Sequence, residues 1–163
     1  MPLIPIHRAL PDRSAADAHP VSAITGLQSS LSALTLQVPV SNGWSGPSII
    51  GATGVGVVQY GVVYLDSSGT WQVADADAEA TADGLLGMVV SAIVGNAATI
   101  GLPAGIVRSA GWSLTVGAPL YLQSDGSAAQ TIITGSGKVS RRLGYALAPS
   151  AFYFAPSVAL TLL

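Results

Sequence analysis

Tyr60-Gly-Val-Val-Tyr-Leu65-Asp66-Ser-Ser-Gly69-Thr70-Trp-Gln-Val73 sets two runs of β-branched and aromatic residues on either side of a four-residue turn. Tyr60 to Leu65 and Thr70 to Val73 have the composition of strands, and Asp66-Ser-Ser-Gly69 supplies turn residues, so the segment predicts an antiparallel hairpin. The pattern returns 57 residues later, where Leu120 to Leu122 leads into Gln123-Ser-Asp-Gly126. Tyr64, Leu65, Ser67, Gly69, Leu86 and Gly87 are matched by Tyr121, Leu122, Ser124, Gly126, Leu143 and Gly144. This echo predicts a hairpin and return strand used twice, with doubled β-motifs closing into a barrel or a sandwich. Further strands are expected at 86 to 94, 97 to 102, 105 to 108, 130 to 134, 142 to 148 and 151 to 154. The fold class is therefore mainly β, an antiparallel barrel or sandwich carrying an extended N-terminal arm and one short helix.

Outward from the hairpins, the chain is poor in charge. Its 163 residues include only 6 Lys and Arg and 8 Asp and Glu, while 50% are hydrophobic. A chain of this length forms one domain plus an appendage and buries roughly 70% of its unfolded surface. Its net charge of −2 provides no basic field for nucleic acid. Much of the outside must then be small, neutral or aliphatic, which points to faces buried in an assembly. No lysine or arginine lies between Arg13 and Arg108, so core and subunit-facing surface are expected to concentrate in the neutral middle, Thr35 to Val107.

Residues 1 to 20 contain Pro2, Pro5, Pro11 and Pro20, which forbid regular helix and read as an extended arm. Its Leu3, Ile4, Ile6 and Leu10 suit an arm laid across another surface. Residues 21 to 35 place Ile24, Leu27, Leu31 and Leu34 on a heptad seam, with Ser22 as N-cap. This short amphipathic helix serves either self-association or packing on its own domain. Residues 36 to 163 form the β-domain. The uncharged run from Gly84 to Val107 has the length of a membrane span, but Gly87, Gly95, Gly101, Pro103 and Gly105 argue for strands instead. The N-terminus lacks the long apolar run of a signal peptide, so synthesis and use without secretion are expected.

Equipment for catalysis is sparse. There is no cysteine, and His7 and His19 lie in the proline-rich arm, away from any serine of the β-domain. Asp75, Asp77, Glu79 and Asp83 form the main acidic cluster, but Ala80 and Leu86 stand where a calcium loop needs glycine and glutamate. Gly51-Ala-Thr-Gly-Val-Gly56 lacks both phosphate-binding glycine patterns. No catalytic, cofactor-binding or metal-binding residue is expected. Trp44, Trp71 and Trp112, with the five tyrosines, suit either a sugar-stacking surface or core and interface anchors. Lys138, Arg141 and Arg142 read as a solvated turn or a patch for an acidic neighbour.

Asp12-Arg-Ser-Ala-Ala-Asp-Ala-His-Pro-Val-Ser-Ala-Ile-Thr-Gly-Leu-Gln28 resembles a segment of tailed-bacteriophage structural proteins, near their fibre-like and trimeric parts. Gly117-Ala-Pro-Leu-Tyr-Leu-Gln-Ser-Asp-Gly126, Gly137-Lys-Val-Ser-Arg-Arg-Leu-Gly-Tyr-Ala-Leu147 and Phe152-Tyr-Phe-Ala-Pro-Ser157 look like the C-terminal part of small phage β-proteins, including capsid decoration or cement proteins. The resemblance implies a non-enzymatic virion component made in the host cytoplasm. It would act as a homotrimer on the outer capsid surface, with the major capsid protein as partner and neither nucleic acid nor membrane. Leu3, Ile4, Ile6, Leu10, Ile24, Leu27, Leu31 and Leu34 would then make the intersubunit contacts. A tail-fibre or receptor-binding protein, and a carbohydrate-binding β-domain, are the alternative expectations.

Overall fold

The computed structural model describes residues 37–158, 161 and 162, all within the unit Leu36–Leu163. The expected arm and helix lie outside the described residues, as do all eight intersubunit candidates from Leu3 to Leu34.

The β-domain is a sandwich of two antiparallel sheets. Strands β1 (Gly43–Ser45), β2 (Ser48–Ala52), β3 (Val62–Leu65), β4 (Trp71–Val73), β5 (Leu86–Val89) and β6 (Ala97–Gly101) come first along the chain. They are followed by β7 (Gly105–Arg108), β8 (Pro119–Leu122), β9 (Ala128–Ala129), β10 (Val139–Ser140), β11 (Arg142–Ala148), β12 (Ala151–Phe154) and β13 (Thr161–Leu162). One sheet has the order β2-β6-β5-β3-β4, the other β1-β7-β12-β11-β8-β9, and β10 pairs with β13 as a ribbon. One short helix is described, α1 (Glu79–Ala82).

With β1 and the β10 ribbon set aside, each sheet is a contiguous stretch of chain and the two share one topology. In chain order, β2 to β6 in the first stretch correspond to β7, β8, β9, β11 and β12 in the second. The pairs Tyr64 with Gln72 and Leu65 with Trp71 recur as Tyr121 with Ala129 and Leu122 with Ala128. Val63 with Gly87 recurs as Leu120 with Gly144. The turns repeat as well: Gly69 N–H donates to Asp66 C=O at 3.1 Å, and Gly126 N–H donates to Gln123 C=O at 3.2 Å. Both glycines have positive φ, 81° and 76°.

The repeats stack head to tail, so equivalent faces have unlike neighbours. Alternation in β3 sends Val62 into the core between the sheets and Val63 into a second core of Trp71, Val89, Ala98 and Ile100. In the other sheet it is Leu120 and Leu122, counterparts of Val63 and Leu65, that enter the core between the sheets. The first repeat thus lays the outer face of its sheet over the inner face of the second. All four residues of β5 are buried, as a strand covered on both faces requires.

The sheets do not close into a barrel. A single bridge, Thr53 with Trp71, joins the edges of the β2 to β4 sheet, where Gly51 leaves room for the indole. Expected strands at 97 to 102, 105 to 108, 142 to 148 and 151 to 154 are present within a residue. The strand expected at 86 to 94 stops at Val89, because Ser91 Oγ accepts the Thr99 N–H at 2.9 Å beyond Val90. Residues 130 to 134 are not a strand. There Gln123 Nε2 donates to Thr131 C=O and the Gln130 amide bonds both backbone groups of Thr115, so side chains take the place of a ladder. The neutral middle supplies most of the buried hydrophobic residues, including all of the second core, while Leu120, Leu122, Val139, Leu143, Phe152 and Phe154 share the core between the sheets.

Candidate interaction surface

The outer face of the β1-to-β9 sheet is the counterpart of a face that the first repeat buries. Val62 pairs with Met88, and both are fully buried between the sheets. The equivalent pair, Pro119 with Tyr145, lies on the outside, with Tyr145 43% exposed. Cross-strand pairing puts Tyr145 beside Tyr153, and Tyr121 beside Arg142, on that same face. A bulge between Arg142 and Gly144 turns Leu143 inward while keeping Arg142 outside, its guanidinium 5.1 Å from the centre of the Tyr145 ring. Tyr121 and Tyr153 are half-buried and Arg142 is exposed. Leu147 adds exposed apolar area at the end of β11.

Tyrosine and arginine provide large contact area at low entropic cost and recur in the energetic centres of interfaces. None of the named face residues is acidic. The face can therefore take a surface of apolar, hydroxylated and carboxylate groups.

A second feature is an edge. β7 is covered by β1 through the pairs Gly43 with Arg108, Trp44 with Val107 and Ser45 with Ile106. Trp44 anchors that strand: its ring meets Phe154 edge-on at 6.3 Å and lies against Gly101 and Gly105, whose lack of side chains makes the space. β2 occupies the equivalent place in the other sheet, and among the described residues no strand covers it along Ser48–Ala52. Ile50 on this open edge is 81% exposed. Val55, just beyond β2, and Val94, at the turn into β6, are also exposed. Open apolar edges invite strand addition.

The basic trio does not form one patch. Lys138 pairs with Asp77, which also accepts from Ser124 Oγ, and these partners hold the Asp77 carboxyl below its usual range. Arg141 is buried, donating to the carbonyls of Ala82, Gly84 (3.2 Å) and Ser157 (3.0 Å), with Asp83 at 3.7 Å. Burial lowers its pKa, and Asp83 opposes that shift. Only Arg142 faces outward. The acidic segment 75 to 83 is thus internal bracing for the loop around α1. Among the described residues, no group of three or more His, Cys, Asp or Glu could hold a metal ion, and no helix is long and apolar enough to cross a membrane.

The tryptophans also separate. Trp71 is a core residue at 1% exposure, Trp44 anchors β1, and Trp112 is half-buried between Tyr60 and Phe152. A shared sugar-stacking surface of all three is not formed. The tyrosine face was missed in the sequence because its outward parity depends on which sheet covers which; the echo of Met88 by Tyr145 was the available signal. No family model, curated protein or solved structure matches the chain.

Proposed function

We propose that this chain is a non-enzymatic structural protein of a tailed-phage virion, a decoration or cement subunit that binds the outer capsid shell as a homotrimer and stabilises it. The observation carrying the reading is the exposed Tyr121, Tyr145, Tyr153 and Arg142 face, whose repeat counterpart is buried between the sheets. Low charge and the resemblance of residues 12 to 28, 117 to 126, 137 to 147 and 152 to 157 to phage structural proteins support it. In this reading the tyrosine face meets the major capsid protein. The β2 edge and the apolar residues Leu3, Ile4, Ile6, Leu10, Ile24, Leu27, Leu31 and Leu34 join subunits.

The test is binding of purified protein to capsid shells stripped of it. Wild type saturates the shells, and Tyr145→Ser with Arg142→Glu weakens binding by at least about tenfold, as loss of an aromatic and arginine centre does. Saturation at unchanged affinity by the folded double variant refutes the assignment of this face.

A further inference from the structure

Tyr60 has φ +65°, the left-handed region that side chains other than glycine adopt at a cost. The repeat shows what the backbone asks for at this position. Its counterpart 57 residues on is Gly117, with φ +81°. The second repeat meets the requirement with glycine, whereas the first meets it with a tyrosine, held by its N–H donating to Val89 C=O at 2.7 Å. Strain retained where the fold itself accepts glycine marks a side chain wanted for another purpose.

That side chain lines a cleft of about 290 Å³ between the repeats. Tyr60 meets Trp112 edge-on, with ring centres 5.6 Å apart, and Trp112 is backed by Phe152 at 5.3 Å. Val58 and Gln59 form one wall, and Asp125 and Ser127 the other. Asp125 accepts from the Ser127 hydroxyl and, on Oδ1 at 2.9 Å, from the Ser127 N–H, and these bonds hold the carboxyl below its usual range, so it is ionised at neutral pH. Among the described residues, the Tyr60 hydroxyl, the Gln59 amide and the Trp112 indole N–H have no hydrogen-bond partner.

Flat aromatic walls, a fixed carboxylate and free amide, phenol and indole groups form a recognition set for one ring with an apolar C–H face and hydroxyls at its rim. We infer that this cleft binds a neutral hexopyranose unit of a glycan: the sugar's C–H face lies on one ring of the Tyr60–Trp112 corner, the other ring stands at its rim, and its hydroxyls donate to Asp125 and bond Gln59. The carboxylate disfavours uronic and sialic acids by like charge. The inference is independent of the capsid reading, because it uses no residue of the tyrosine face or of the β2 edge.

The test is titration of the full chain with methyl glycosides of glucose, galactose, mannose and N-acetylglucosamine, with methyl glucuronide alongside, followed by amide and indole NMR shifts. At least one neutral glycoside is expected to shift Tyr60, Trp112 and Asp125, more strongly than the glucuronide does. Asp125→Asn and Gln59→Ala, both at exposed positions, keep the fold and weaken that binding about tenfold through loss of hydrogen bonds to the sugar. No shift with any neutral glycoside, or shifts that survive both substitutions unchanged, overturns the inference.

Discussion

Gly69 and Gly126 occupy the same turn in the two repeats, and replacing each with alanine separates the cost of backbone conformation from the cost of packing. Their φ values, 81° and 76°, impose nearly the same left-handed penalty on a side chain. That penalty is about 1–2 kcal/mol, reduced by about 0.5 kcal/mol because alanine also restricts the unfolded chain. A Cβ at Gly69 meets nothing within 4 Å, so Gly69→Ala is expected to cost about 1 kcal/mol. A Cβ at Gly126 lies 2.8 Å from Val73 Cγ1 and 3.1 Å from the carbonyl oxygens of Ala74 and Val62. Relieving that contact disturbs the Val62 N–H to Gly126 C=O bond, 2.7 Å long, which ties the second hairpin turn to the first repeat. Overpacking adds about 1–2 kcal/mol and the weakened hydrogen bond about 1 kcal/mol, so Gly126→Ala is expected to cost about 3 kcal/mol. Urea unfolding followed by tryptophan fluorescence reads both variants, and a difference of about 2 kcal/mol corresponds to roughly 4–8 °C in Tm for a domain of this size. Equal destabilisation would mean that the Gly126 turn is not packed on β3 and β4, and the head-to-tail stacking of repeats would fail with it.

Arg141→Ala strips the partner from the Ala82, Gly84 and Ser157 carbonyls and is expected to cost about 3 kcal/mol in urea unfolding; Arg141→Lys, lacking the planar fork, should recover little of it. Asp66 is held down to about 2 by the Ser68 hydroxyl, the Gln72 amide and the Thr70 and Ser68 N–H groups. Because its folded pKa is depressed, the stability it confers is present above about pH 4 and is lost as pH falls toward 2; Asp66→Asn should flatten that loss, and an NMR titration midpoint of Asp66 near 4 would contradict it. Deleting residues 1 to 20 should weaken capsid binding while leaving the near-ultraviolet circular dichroism of the β-domain intact; unchanged affinity would remove the arm from the account. Light scattering of the isolated chain should give a trimer, and a monomer would remove the heptad residues Ile24, Leu27, Leu31 and Leu34 from the subunit contact.

The hairpins and most strand positions were legible in the sequence because turn chemistry and alternation are local. The echo across 57 residues carried even the pairing registers, since Gly87 and Gly144 sit opposite Val63 and Leu120 in the folded sheets. β1 and β2 were missed: Gly43-Trp-Ser and Ser48-Ile-Ile-Gly-Ala show no alternation, and tertiary pairing with β7 and β6 makes them strands. What the echo did not carry is facing. Stacking head to tail gives equivalent residues different neighbours, so Met88 is core while Tyr145 is surface. The basic trio misled for a related reason, because the bulge sends Arg142 outward while Arg141 turns into the molecule. The cleft had a readable signal in the alignment of Tyr60 with Gly117, which becomes meaningful only once the left-handed backbone at both positions is seen.

Quantitative mass spectrometry of purified virions, counting this chain against the major capsid protein, tests the central claim most directly. A decoration subunit is present in fixed proportion to the capsid protein, with Tyr121, Tyr145 and Tyr153 protected from surface labelling on the particle and reactive in the free protein. A few copies per particle, or none, with those tyrosines equally reactive in both states, would contradict it.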